Sequence, residues 1–293
     1  MVMHWINVPP VFIIGCYRSG TSLLRLMLSA HQHIWISCEG AYIYHIRSKL
    51  TANDDLSNSK NLEALHRAIL PFLEEEKWLT LPTFEELLEW VKQYGTHTRS
   101  LIIFYNTWDA RALGKQKLLW WGDNANYHAH NVPYFSSLFP DSKYIFMIRD
   151  PRDIHTSIKF NYKERYPLDD IMNVWERALL DGLLAEQFLG RHRVKQVRYE
   201  SLVTDPKNQL KEICTFLGVV FEEEMLAYYK SEAAKALSRI NHHSNVVKAV
   251  FANSVGKYRE MLTEEEIYKI NKRLTLPMRC LGYLSADEYN ELI

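Results

Sequence analysis

Cysteine is scarce. The 293-residue chain holds four, Cys16, Cys38, Cys214 and Cys280, so scattered that no paired metal-ligand spacing arises. That argues against a disulfide framework and a zinc module, and it fits reduced thiols. An excess of either charge is missing as well: Lys plus Arg and Asp plus Glu each number 35. With no global field to draw the chain to nucleic acid or to an anionic membrane, any anion site has to be local. Long apolar runs are absent. No stretch approaches the roughly 18 apolar residues of a membrane span, and the strand-like run beginning at Val11 leaves no room for a secretory leader. These absences predict a soluble cytoplasmic protein with no disulfide, no metal site and no nucleic-acid partner. Internal repeats and low-complexity tracts are lacking too.

What is present is a globular composition, 47% hydrophobic and 24% charged, suited to one large α/β domain over residues 1–293 with a sizeable insertion. Residues 11–14 form a continuous apolar run between Pro9-Pro10 and Gly15, the pattern of a strand buried on both faces. Behind Gly20, the set Leu23, Leu24, Leu26, Met27, Leu28 and Ala30 predicts a buried helix with Thr21 and Ser22 in its first turn. Further strands are predicted at 34–36, 118–121, 144–148 and 194–199, and helices at 168–189, 206–217 and 263–274, the second opening on a proline. From about 41 to 117 the pattern is helical and irregular, an insertion. Alternating strands and helices predict a parallel sheet with helices on both faces.

Gly15-Cys16-Tyr17-Arg18-Ser19-Gly20-Thr21-Ser22 sits where the first strand feeds a helix, so backbone N–H groups and a helix N-terminus converge there on an anion. A Walker-type loop places lysine where this chain has Thr21, which argues against a kinase or NTPase. The cation comes earlier, as Arg18. The run Arg18-Ser19-Gly20-Thr21-Ser22-Leu23-Leu24 resembles the 5′-phosphosulfate loop of sulfotransferases that use 3′-phosphoadenosine 5′-phosphosulfate (PAPS), especially the branch of tyrosylprotein sulfotransferases and their bacterial relatives. A second match is Arg149-Asp150-Pro151-Arg152-Asp153, with Ser157 eight residues after Arg149. It resembles the family segment whose arginine and serine grip the nucleotide's 3′-phosphate; a guanidinium fork and a hydroxyl suit that anion. Val197-Arg198-Tyr199-Glu200-Ser201-Leu202-Val203 resembles a stretch whose tyrosine lies near the base, although Tyr199 equally suits a packed core. Ser254-Val255-Gly256-Lys257-Tyr258 resembles a late segment that returns to the nucleotide.

The resemblance implies a P-loop-like central parallel sheet and transfer of a sulfuryl group from PAPS to a hydroxyl-bearing small molecule, glycan, lipid or peptide, without a metal. The implied nucleotide site is Arg18, Ser19, Gly20, Thr21, Ser22, Leu23, Arg149, Ser157, Tyr199 and Lys257, with Arg18 also acting on the leaving phosphate. Such transfer needs a base, donors for developing charge and in-line positioning. Glu39, twenty-one residues beyond Arg18, has the spacing of the glutamate base in tyrosylprotein sulfotransferases; His31 and His45 are rival bases. One departure stands out. Where relatives read Gly-Asp-Lys-Thr-Pro, this chain reads Gly122-Asp123-Asn124-Ala125-Asn126. Asn124 in the lysine's place donates a hydrogen bond without charge, and charge-assisted bonds are about twice as strong. Lys257, Lys115 and Lys117 are candidate substitutes, and Asn126 stands where the cytosolic branch has histidine. The alternative is a nucleotide-binding protein of the same fold with weak or no transfer. The insertion, rich in aromatics at Tyr42, Tyr44, Trp78, Trp90, Phe104, Tyr105 and Trp108, is expected to set acceptor choice, most of those rings serving as core.

Overall fold

Val11, Phe12, Ile13 and Ile14 have no exposure to water, which an apolar tetrad achieves as a central strand covered on both faces. The computed structural model describes residues 5–40, 42–51, 55–124, 126–161, 166–239 and 246–293. Its strands are β1 (Pro10–Gly15), β2 (Ile34–Ile36), β3 (Trp120–Asp123), β4 (Lys143–Ile148) and β5 (Val194–Arg198), all parallel, in the order β2-β3-β1-β4-β5. Each predicted strand forms. The third begins at Trp120 rather than Leu118 because Leu119 and Trp120 both donate to the His33 carbonyl, at 2.8 and 3.3 Å, so the chain is still entering the sheet there.

Helices cover the sheet. Between β1 and β2 lies α1 (Thr21–Ser29). Between β2 and β3 come α2 (Tyr42–Thr51), α3 (Ser59–Glu75), α4 (Phe84–Tyr94), α5 (Thr98–Asn106) and α6 (Trp108–Ala112). Then follow α7 (Val132–Leu138), α8 (Pro151–Asn161), α9 (Leu168–Leu189), α10 (Tyr199–Thr204), α11 (Pro206–Leu217) and α12 (Glu232–Leu237). The chain closes with α13 (Tyr258–Met261), α14 (Glu264–Arg273), α15 (Thr275–Cys280) and α16 (Ala286–Leu292). The predicted bounds of α9 and α11 coincide with those observed. At α14 the terminal Thr263 stands outside the helix, as the N-cap of a capping box with Glu266.

The rings of the insertion pack on one another within a core continuous with that of the sheet. Tyr42, Trp78, Trp90, Phe104 and Tyr105 are buried, and Tyr42 packs 5.3 Å from Tyr105 and edge-on at 5.9 Å to Trp78. The buried Asp109 carboxylate accepts the N–H groups of Leu79 and Thr80, both at 3.1 Å, and so pins the α3–α4 connection to α6. All four cysteines are free thiols, three of them buried. Among the described residues, no helix is long and apolar enough to cross a membrane.

Topology fixes where a ligand can enter. From β1 the chain leaves toward β2 on one side, and from β4 toward β5 on the other, so a crevice opens between the C-terminal tips of β1 and β4. Gly15 pairs with Met147, which brings the two outgoing segments side by side.

Lys115 secures the opposite end of α1. Its ammonium donates to the carbonyls of Ser29, His31 and Ile34 at 2.8, 2.7 and 2.7 Å. Lys115→Met retains much of the stem but orphans three carbonyls, and is expected to cost about 2 kcal/mol of stability. Urea denaturation with an unchanged m value checks this; an unshifted midpoint would show that solvent replaces the ammonium at no cost.

Candidate functional site

The loop after β1 is bent by backbone angles that most residues avoid. Gly20 has φ 93°, and a Cβ there would lie 2.5 Å from Cδ2 of Tyr199, so glycine is required both for the turn and for the approach of that ring. Arg18, with φ 65°, is a non-glycine residue in the left-handed region, strain that persists only where its surroundings over-determine it. They do. Ser19 donates its hydroxyl to the Cys16 carbonyl at 2.5 Å, and Arg149 donates Nη1–H to the Arg18 carbonyl at 2.7 Å. Beyond the loop, Gly20 N-caps α1 without any side-chain cap bond, leaving the first-turn N–H groups to an anion.

Arg149, at the tip of β4, is the second pillar. It is 6% exposed; its Nη2 donates to the Ser254 carbonyl at 2.9 Å, and its guanidinium stacks 4.1 Å from the centre of the Tyr199 ring. Tyr199 closes the circle through its hydroxyl, 2.6 Å from Ser254 Oγ. The buried Nε of Arg149 has no hydrogen-bond partner among the described residues. Ser157, expected to share an anion with Arg149, lies on the second turn of α8 facing the β1 loop, where its Oγ accepts from Arg18 Nε at 3.1 Å. Lys257 is delivered by Asp153, whose carboxylate accepts the N–H groups of Gly256 at 2.7 Å and Tyr258 at 3.0 Å.

These elements enclose a cavity of about 260 Å³. Nine of the ten predicted nucleotide residues line it: Arg18, Gly20, Thr21, Ser22, Leu23, Arg149, Ser157, Tyr199 and Lys257. Ser19 does not; it is fully buried with its hydroxyl turned to Cys16. The cavity also recruits residues that sequence reasoning missed, notably Asp153, Phe160, Asn161 and Tyr228, and an apolar wall from Val246, Val250 and Phe251. No local pattern marks that wall, which reaches the site only through tertiary packing.

Glu39 and Asn124 lie outside this cavity, after β2 and β3. Glu39 is half-buried. Burial chiefly pushes its carboxyl up to about 8; the Glu76 and Asp123 carboxylates add to this, while Arg25 and Arg18 oppose it. Asn124 is 2% exposed and its Oδ1 has no hydrogen-bond partner among the described residues. Ala125 and the side chain of Asn126 lie outside the described residues. The rival bases fare differently. His31 has both ring nitrogens engaged, Nε2 with the Val220 carbonyl at 2.9 Å and Nδ1 accepting from His33 N–H at 3.0 Å, and it sits beyond the C-terminal end of α1. His45 is exposed, its ring against Phe72 at 4.6 Å. Lys115 is committed to three carbonyls and Lys117 is exposed ahead of β3, so of the three substitute lysines only Lys257 lines the cavity.

A parallel sheet whose first strand feeds a glycine-bearing anion loop, with arginines at two neighbouring strand tips, defines a P-loop-like α/β protein. The chain belongs to the sulfotransferase family, whose model matches residues 9–223. It is 24% identical over 274 residues to protein-tyrosine sulfotransferase 2 of Gallus gallus, a match covering 86% of this chain and 63% of that protein. It is 23% identical to the omega-hydroxy-beta-dihydromenaquinone-9 sulfotransferase of Mycobacterium bovis, covering 72% of this chain and 63% of that one. The chain thus spans less than two thirds of the length of these relatives. Among solved structures, the sulfotransferase domain of the Synechococcus PCC 7002 olefin synthase superposes with a TM-score of 0.60 at 23% identity, covering 91% of this chain and 94% of that domain, and shares the fold.

Two expectations follow. Gly20→Ala drives a methyl into Tyr199 and forces an unfavourable φ, so it is expected to destabilise the fold by about 1 kcal/mol or more in urea denaturation; an unshifted midpoint would show that the loop tolerates displacement. The second concerns pH. A carboxyl with a folded-state pKa raised above its unfolded value stabilises less as pH climbs from the ordinary carboxylate range through the raised value. The stability of Glu39→Gln relative to wild type is therefore expected to grow between about pH 5 and pH 8, measured by urea denaturation without ligand. A constant difference would place the Glu39 carboxyl at its ordinary value.

Proposed function

We propose that the protein moves the sulfuryl group of PAPS to a hydroxyl-bearing acceptor, with Glu39 as the general base. The observation that carries this reading is the cavity at the tips of β1 and β4, where Arg18, Arg149, Lys257 and the uncapped N-terminus of α1 converge. Those donors suit a nucleotide phosphorylated at two separated positions. In the transfer, Glu39 takes the acceptor's proton as its oxygen attacks sulfur. The new O–S bond forms while the S–O bond to the 5′-phosphate breaks, and adenosine 3′,5′-bisphosphate departs with the electron pair. Arg18 and the helix N–H groups hold the charge that develops on it. A carboxyl pushed up to about 8 is a stronger base than one in water and is ionised in a growing fraction through that pH. Relatives named for a protein tyrosine and for a hydroxylated menaquinone support a hydroxyl acceptor, and the α2–α6 insertion is where its choice would be made.

A second reading, nucleotide binding with weak or no transfer, draws on Asn124, a buried neutral amide in place of the family lysine.

Thermal shift separates these from a kinase-like reading. Adenosine 3′,5′-bisphosphate is expected to raise the melting temperature and ATP with magnesium to do so far less, and Arg18→Ala to remove the rise. Equal response to ATP would overturn the nucleotide assignment. With ³⁵S-labelled PAPS and phenol, tyrosyl-peptide and hydroxylated-lipid acceptors, Glu39→Gln is expected to keep the bisphosphate shift and lose transfer by roughly a hundredfold or more. Binding without any sulfated product would establish the second reading.

A further inference from the structure

The segment that carries Glu39 is held by a buried carboxylate. Asp123, the last residue of β3, has no exposure to water, and its Oδ1 accepts the Gly40 N–H at 3.2 Å. The approach is so close that a Cβ on residue 40 would lie 2.0 Å from Asp123 Oδ2, so only glycine fits there. The same segment is anchored three residues earlier. Ser37 N–H donates to the Gly122 carbonyl at 2.8 Å, and Ser37 Oγ donates to Asn106 Oδ1 at 2.5 Å, a side chain supplied by α5. Residues 37–40 are thus laid across the C-terminal end of β3, with Glu39 between the two anchors.

We infer that Asp123 is a positioning residue: through the Gly40 N–H it fixes the backbone of Glu39, so that the Glu39 carboxylate is presented to the acceptor hydroxyl in one orientation. The inference rests on Glu39 being the base. It has an electrostatic side as well. The charged groups facing Glu39 are Glu76 from the end of α3, Asp123 from β3, Arg25 from α1 and Arg18 from the phosphate loop; the two carboxylates raise its proton affinity and the two guanidiniums lower it. Asp123 therefore both orients the base and strengthens it, a combination that a purely structural carboxylate would not need.

Two variants separate these roles. Asp123→Asn keeps an oxygen for the Gly40 N–H and deletes the charge, whereas Asp123→Ala deletes both. In protein ¹³C-labelled at glutamate carboxyls, with Glu39→Gln to assign the resonance, the Glu39 titration midpoint is expected to fall in both variants. Hydrogen exchange at the Gly40 amide is expected to stay slow in the Asn variant and to quicken about tenfold or more in the Ala variant. The bisphosphate-induced thermal shift, which reports the cavity at β1 and β4, is expected to persist in both. With 4-nitrophenol and PAPS, kcat is expected to fall at least about tenfold in Asp123→Ala with KM for PAPS unchanged. A Glu39 midpoint unmoved in both variants overturns the inference, and so does loss of the bisphosphate shift in Asp123→Asn, which would make Asp123 a general structural group. If Asp123→Ala does not fold, the Asn midpoint decides alone. Should Glu39→Gln keep full transfer while the midpoint and Gly40 exchange respond as expected, the contact stands and only the choice of base fails.

Discussion

The guanidinium of Arg149 is the interaction on which the rest of this site depends. A buried cation is stable when its donors and its charge are answered, and here a main-chain carbonyl from the β1 loop, another from Ser254 and the face of Tyr199 answer all of it but the Nε. Each of these three pieces comes from a different part of the chain. Fastening them to one side chain at the tip of β4 fixes the shape of the loop after β1, and preorganised donors are what make an anion site effective.

The charge of the molecule is sorted around that pillar. Arg18, Arg149, Lys257 and uncapped helix N–H groups gather between the tips of β1 and β4, with the Asp153 carboxylate among them, whereas Glu39, Glu76 and Asp123 gather beyond β2 and β3, near the buried Arg25. A chain with equal numbers of positive and negative residues thereby sets a cation-rich region and a carboxyl-rich one side by side at one end of its sheet. The proposed reaction has the same polarity, since an anion departs on one side and a proton is collected on the other.

Local pattern disclosed most of the frame. Residues 11–14 and 144–148 are buried apolar runs, and a strand that is central has little choice of sequence. The turn after β1 was legible because Gly15, Arg18 and Gly20 fall close together between a strand and a helix. What escaped the sequence was contact between distant segments. Nothing near Ser157 says that its hydroxyl will meet Arg18, nothing in Lys115 announces three carbonyls at the far end of α1, and the wall of Val246, Val250 and Phe251 has no period that marks a tertiary surface. Glu76 is equally silent, an ordinary helix-end glutamate until folding buries it near Glu39, where burial raises it to about 7.

The left-handed backbone at Arg18 has a last implication. An L-residue in that conformation costs about 1–2 kcal/mol that glycine would not incur, so a chain selected for robustness alone would drift toward glycine at this point. That a long, charged side chain stands there instead, in a loop already rich in glycine, means that the fold carries a small permanent instability in order to keep a cation at the mouth of the sheet.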